Sequence, residues 1–338
     1  MFTMSARVLA CDAVRTRIST STNRYTGANV CMAIAVSAAS IFGCGGGLPS
    51  PSVVEKLRLL AVHTPTPEVL SVAPTGMPAD GITLTAWWDD GSPRAGRDVF
   101  FVWRLCAEGV DREPRSCFRA ERGINLATQV ARNGGTQSFT IPPENLRFEP
   151  VGSDVGLTTY FVMVAMCPDA APVLDSSAGQ FVCPSEASLA NELREGVQAV
   201  RRVIVRSAEP LNHNPSILRV KLADTFDAGS EVIDAPMCPV FSDGTPNCTG
   251  VAITVFAGGP VERRLDGTPE TLLASFFVTA GSVDRPRSLP AEGYPLGMDG
   301  ALSVLWYPPA TAGMHKVWVV LRDGHGGDDE RMFTVRVR

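Results

Sequence analysis

The sequence predicts an all-β chain: two tandem antiparallel β-sandwiches behind a removable leader, with one short helix inserted in the first sandwich. Three observations carry this. Short runs rich in Val, Ile, Phe, Thr and Trp recur from residue 54 to the C-terminus, each bounded by Gly, Pro, Asp or Asn. The 295 residues left after a 43-residue leader is removed (338 less 43) exceed one small sandwich and suit two. A stretch at 207–215, SAEPLNHNP, places two prolines and two asparagines between strand-like contexts and reads as an interdomain joint.

In the first half the strand-like runs are 54–63, 82–88, 98–106, 136–141, 159–167 and 198–206. Ile82, Leu84 and Ala86 alternate with Thr83 and Thr85, the period-two pattern of a half-buried strand. The helix is expected over residues 185–196, between the fifth and sixth strands. Ser185 caps it, Glu186 lies in its first turn, Leu189 and Leu193 share a face, and Gly196 stops it. The second half repeats the style at 216–222, 251–257, 272–279, 301–306, 314–322 and 331–337. The expected domains are therefore residues 54–207 and 208–338.

The leader is read from its charge and length. Arg7, Arg15, Arg17 and Arg24 stand against the single acid Asp12, and an apolar run follows from Val30 to Phe42. That run has the length of a signal-peptide core and is too short to span a bilayer. It closes on Ile41-Phe42-Gly43-Cys44, which resembles a bacterial lipobox. The resemblance implies a signal peptide over residues 1–43, cleavage before Cys44, lipidation of its sulfur and acylation of the new N-terminus. Several acyl chains, each burying many CH₂ groups at ~0.8 kcal/mol apiece, make a firm anchor where one chain is marginal. Residues 44–53, with three glycines and two prolines, read as the lipidated cysteine and a flexible tether. Gly45 stands where an aspartate retains lipoproteins at the inner membrane, so the resemblance places the protein at the outer membrane of the cell envelope.

Composition restricts the partners. The leader removes 4 of 30 basic and 1 of 35 acidic residues, so the mature chain carries 26 less 34, a net charge of −8. An acidic chain without basic clusters is a poor match for nucleic acid. Past Cys44 there are six cysteines, Cys106, Cys117, Cys167, Cys183, Cys238 and Cys248, an even count that fits disulfides in an exported chain. Neighbour pairing (Cys106–Cys117, Cys167–Cys183, Cys238–Cys248) is favoured by spacing; a cross-strand bridge such as Cys106–Cys167 is the alternative.

The last stretch, WYPPATAGMHKVWVVLRDGHGGDDERMFTVRVR, resembles the end of a bacterial immunoglobulin-like or PKD-like domain. The matching pieces are Pro308-Pro309, Ala312-Gly313, Val317 to Leu321, Asp323, Gly326-Gly327 and Phe333 to Val337. The PKD signature of Trp, Asp, Phe, Gly and Asp in sequence is missing. With the lipobox and two β domains, the layout also resembles lipoproteins of myxobacteria. The resemblance implies immunoglobulin-like sandwiches, with Trp103 at the position where such domains bury a tryptophan, and it brings no activity.

Chemistry-bearing motifs are sparse. Asp323, Asp328, Asp329 and Glu330 crowd a glycine-rich turn that could offer oxygens to calcium, but their spacing matches no EF-hand, and a solvated hairpin accounts for them. Trp87 and Trp88 must face opposite ways, which leaves one to be covered by a loop or to meet a sugar or protein surface. There is no G-x-S-x-G, no H-E-x-x-H and no C-x-x-C, and His63, His213, His315 and His325 are scattered. No catalytic residue, cofactor or metal is assigned. The expected role is non-enzymatic: a structural or adhesive envelope protein with a protein or polysaccharide partner. A carbohydrate-binding or secretion-complex subunit stands second and a hydrolase third.

Overall fold

Alternation along Ile82–Asp90 sends Ile82, Leu84, Ala86 and Trp88 to one face, and all four are buried. The computed structural model describes residues 52–72, 75–92, 96–107, 123–147, 156–175, 180–184, 197–226, 232–258, 271–289 and 301–338. The leader, Cys44, Cys117 and the helix expected at 185–196 lie outside these residues.

The first set of strands is β1 (Leu57–His63), β2 (Glu68–Val72), β3 (Met77–Pro78), β4 (Ile82–Asp90), β5 (Val99–Ala107), β6 (Gly123–Ala131), β7 (Gly135–Ile141), β8 (Leu157–Pro168), β9 (Val173–Asp175), β10 (Gln180–Val182) and β11 (Val197–Arg206). They form sheets of order β1-β4-β7 and β3-β2-β11-β8-β5-β6, with β9 and β10 as a separate hairpin. The second set is β12 (Ser216–Leu222), β13 (Thr225–Phe226), β14 (Ile233–Ala235), β15 (Val251–Gly258), β16 (Leu273–Val278), β17 (Ser282–Val283), β18 (Arg287–Ser288), β19 (Ala301–Tyr307), β20 (Gly313–Arg322) and β21 (Asp328–Val337). Its sheets run β13-β12-β15-β19-β17 and β14-β21-β20-β16-β18.

Both sets share one Greek key. Three strands that are not consecutive lie side by side in one sheet (β1, β4, β7 and β12, β15, β19). Apart from the short β13 and β17 and the separate β9–β10 hairpin, the strands between and after them fill the other sheet. In each, a short early strand crosses over to pair parallel with the last strand: β2 with β11 and β14 with β21. This is the strand arrangement of immunoglobulin-like sandwiches. Side chains agree with it. Trp103 of β5 is fully buried, stacks on Phe139 at 6.0 Å and donates from Nε1 to Gln129 Oε1 at 2.8 Å. Near the start of β8, Tyr160 donates its hydroxyl proton to Arg147 O at 2.7 Å and accepts from Arg147 N at 2.9 Å. That is the tyrosine corner of such domains. Replacing Tyr160 with Phe strands both backbone groups, so a loss of about 1–2 kcal/mol is expected in urea unfolding; an unchanged midpoint would refute this role.

The two cores are separate. One runs from Leu57 to Val205 around Trp88, Phe101 and Trp103, and the other from Ile217 to Val337 around Trp306 and Phe276, with Val53 joining it. Strand β8 is buried on both faces. Its outer face, with Phe161, Met163 and Ala165, is covered by Phe181 of the β9–β10 hairpin, and a Cys167–Cys183 disulfide ties that hairpin down. A Cys238–Cys248 disulfide closes the loop between β14 and β15. Cys106 is also disulfide-bonded. Because Cys167 is taken by Cys183, the alternative bridge Cys106–Cys167 is not formed.

One boundary read from the sequence needs correction. The tether expected to run to Val53 ends sooner, since Ser52 and Val53 are buried. Val278 N donates to Ser52 O and Val54 N donates to Val278 O, both at 2.8 Å, so this segment is docked along β16. Two consecutive valines gain more from the apolar edge of a sheet than from water.

Candidate functional site

The feature with the densest side-chain chemistry is the seam between the sandwiches. Its centre is apolar. Leu60 and Ala61 of β1, with Val54 and Trp87, pack on Phe277, Trp318 and Val320 from the outer face of the second sandwich. A register shift between Leu59 and Ala61 lets two consecutive residues of β1 reach the same seam. Trp88 fills the first core while Trp87 turns outward, as neighbours on a strand must. Trp87 is covered by the second sandwich and not by a loop.

The two ends of the seam are charged. At one, Lys316 Nζ donates to Asp89 Oδ2 at 2.8 Å. At the other, His63, the last residue of β1, sits between Asp328 and Glu330 of β21. Its Nδ1 donates to Asp328 Oδ1 at 3.2 Å and lies 3.1 Å from Glu330 Oε2. Nδ1 carries one proton, so the Glu330 contact is an ion pair; Glu330 Oε2 has no hydrogen-bond partner. Arg201 of β11 donates to the same Asp328 oxygen at 3.0 Å. Arg322 of β20 donates to Ser275 Oγ at 3.2 Å and, across the seam, to Leu60 O at 3.3 Å. Burial of His63 alone would lower its pKa. The hydrogen bond to Asp328 and the charges of Asp328 and Glu330 outweigh that, and the pKa is raised to about 10. Burial lowers the Arg322 pKa, against the charge of Asp328.

The joint at 207–215 is woven into this end. Asn212 N donates to Glu68 Oε2 at 2.9 Å and Asn212 Nδ2 to Asp323 Oδ2 at 3.0 Å. Asn214 Nδ2 donates to Thr64 O at 2.7 Å, and Asp328 N donates to Asn214 Oδ1 at 3.1 Å. Glu68, itself buried, takes a bidentate pair from Arg206. Arg202 Nη2 donates to His325 O at 2.9 Å. Each asparagine thus bridges one sandwich to the other.

The calcium candidates divide among these tasks. Asp323 accepts from His325 N at 2.6 Å and from Gly327 N at 2.9 Å, folding the turn. Gly327 meets Asp323 so closely that a Cβ there would lie 2.2 Å from Oδ2. Asp329 accepts from Ile217 N at 2.5 Å, while Asp328 and Glu330 face His63. Among the described residues no group of three or more His, Cys, Asp or Glu side chains is arranged to hold a metal ion. Nothing in the sequence marked His63 or Arg201 as partners of this turn.

No family model and no curated protein matches the chain. Among solved structures it is similar to an Escherichia coli alpha-2-macroglobulin activated by porcine elastase, with 10% identity over 84% of this chain and 22% of that one and a TM-score of 0.25. It is similar to the periplasmic chaperone SfaE, with 9% identity over 82% of this chain and 100% of that one and a TM-score of 0.24. It is also similar to a 1.5-MDa bacterial ice-binding adhesin, with 11% identity over 83% of this chain and 65% of that one and a TM-score of 0.21. The chain spans about a fifth of the macroglobulin. The immunoglobulin-like fold rests on strand order and the tyrosine corner, not on these likenesses.

Proposed function

We propose that this is a lipid-anchored protein of the cell envelope, held at the outer membrane through Cys44, whose two sandwiches form one stiff, non-catalytic binding or adhesive unit. The observation that carries the reading is the seam. An apolar centre, charged ends and a hydrogen-bonded joint fix the two modules to each other, which suits the presentation of surface loops at a set distance from an anchor. Disulfides at Cys167–Cys183 and Cys238–Cys248 fit an oxidising compartment. A partner that is an envelope protein or a polysaccharide agrees with the acidic mature chain; nucleic acid does not.

The polysaccharide version has one specific feature in its favour. On the outer face of the first sandwich Thr83 pairs with Thr140 at 2.9 Å and Thr85 with Ser138 at 2.8 Å. This row of uncharged hydroxyls on β4 and β7 is chemically matched to a neutral glycan. His63, held protonated at neutral pH by Asp328 and Glu330, does not serve as a general base there.

Replacing Cys44 with Ala tests the anchor. The variant is expected to move from the membrane fraction to the soluble fraction of fractionated cells. Continued dependence on detergent would refute the lipid anchor.

A further inference from the structure

One end of the second sandwich carries several exposed apolar side chains. There β16 finishes, β20 begins and β21 finishes, as the registers Val278–Val317 and Gly313–Val337 show. The loop from 236 to 250 crosses this end between the two sheets. Met237 N donates to Arg338 O and Cys238 N to Pro309 O, both at 3.3 Å, which holds the loop in place. Cys238–Cys248 closes it, and Val240 bridges Pro246. At the tip Phe241 N donates to Thr245 O and Gly244 N donates to Phe241 O, both at 2.9 Å.

This ordered loop shows its apolar side chains to solvent. Val240 is 55% exposed, Phe241 52% and Met237 43%, and Met314, near the start of β20, is 57% exposed. Ordering a loop through a disulfide and turn bonds in order to expose valine and phenylalanine calls for something to cover them. Two further observations identify it. Residues 52–54 lie at this same end, where Val278, the last residue of β16, donates to Ser52 O and accepts from Val54 N. The seven residues from Gly45 to Pro51, ahead of the docked Ser52, reach at most ~25 Å. Charge here is balanced locally: Arg336 and Arg338 pair with Asp234 at 2.7 and 2.5 Å, and Asp243 is the loop's only charged residue.

We propose that this end of the second sandwich rests on the bilayer that holds acylated Cys44, with Val240 and Phe241 inserted among the lipid chains. The inference rests on the lipid anchor proposed above and adds an orientation to it. The apolar tip supplies a second, weak membrane contact beside the acyl chains, and the two together fix the tilt of the molecule.

The test uses the full chain carrying Phe241→Trp, purified from membranes and reconstituted in vesicles of phosphatidylethanolamine and phosphatidylglycerol, with plain or brominated acyl chains. Wild-type protein, with its five native tryptophans, is measured in parallel. The emission added by the substitution is expected to fall about two-fold or more in brominated vesicles and to be shielded from aqueous acrylamide. The intact mass of the same sample reports acylation. An acylated protein whose added indole is open to acrylamide and no more quenched by bromine than wild type overturns the inference and leaves the anchor standing; a loop that serves a partner protein would behave this way. An unacylated mass overturns the anchor, and this inference with it.

Discussion

Replacing Asp328 with Ala is expected to lower the stability of the protein by about 3–5 kcal/mol, the cost of breaking a buried ion pair by removing one partner. Asp328 is 1% exposed and accepts from both His63 and Arg201 through one oxygen. Without it Arg201, whose Nε already lacks a partner, keeps a buried charge with little to face. The loss should also change the shape of unfolding. Asp328 closes the seam, while the two cores around Trp103 and Trp306 do not touch it. A single urea transition in the wild type should therefore split into two in the variant, each with a smaller denaturant slope. A companion variant, Asp328→Leu with Arg201→Met, removes both charges and should recover much of the loss, because an apolar pair of similar volume replaces a buried ion pair at little cost. A fall under about 1 kcal/mol, or an equally unstable double variant, would refute the clamp.

The seam shows what a sequence carries and what it withholds. Strand β12 is found at 216–222, where alternation and flanking Pro and Ala mark it, and β4, β8 and β11 extend past their expected runs by only a few residues. Strand β6 was missed. As an edge strand with a register shift beside Arg104, it lacks clean alternation. The signal that would have found its end is Asn133-Gly134, both at positive φ, a strong turn signal, although here it joins β6 to β7 of the other sheet and closes no hairpin. The clamp was legible only in part. The acidic turn stood out, but its cations come from far along the chain: His63 lies 265 residues from Asp328 and Arg201 lies 127 away. Pairing at that distance is set by how two folded modules dock, which no local period encodes. One hint was available. Trp318 and Val320 alternate with Val317, Val319 and Leu321, so both faces of β20 are apolar and both must be covered.

Raising the pH from 6.5 to 10 is expected to weaken the protein through His63, on top of whatever other groups contribute. The imidazole has an ordinary value of 6.5 and is raised to about 10 in the folded protein by Asp328 and Glu330, against its own burial. A group held protonated by folding adds its full stabilisation below its unfolded pKa, and that contribution is lost as pH climbs through the folded pKa. Within this window the slope approaches ~1.4 kcal/mol per pH unit, so the total is on the order of a few kcal/mol. Arg201 of β11 and Arg322 of β20 also surround the carboxylates, so the imidazole's share is read against a variant that keeps both arginines. The measurement is the urea midpoint of wild type and His63→Gln at intervals from pH 6 to 10. Glutamine keeps a donor near Asp328 but does not titrate, so its curve isolates the remaining groups. The wild-type advantage should be largest at pH 6 and fade toward pH 10. A constant difference between the two curves would mean that His63 is not charged in the seam. A difference that grows with pH would mean that burial, not the carboxylates, governs this residue.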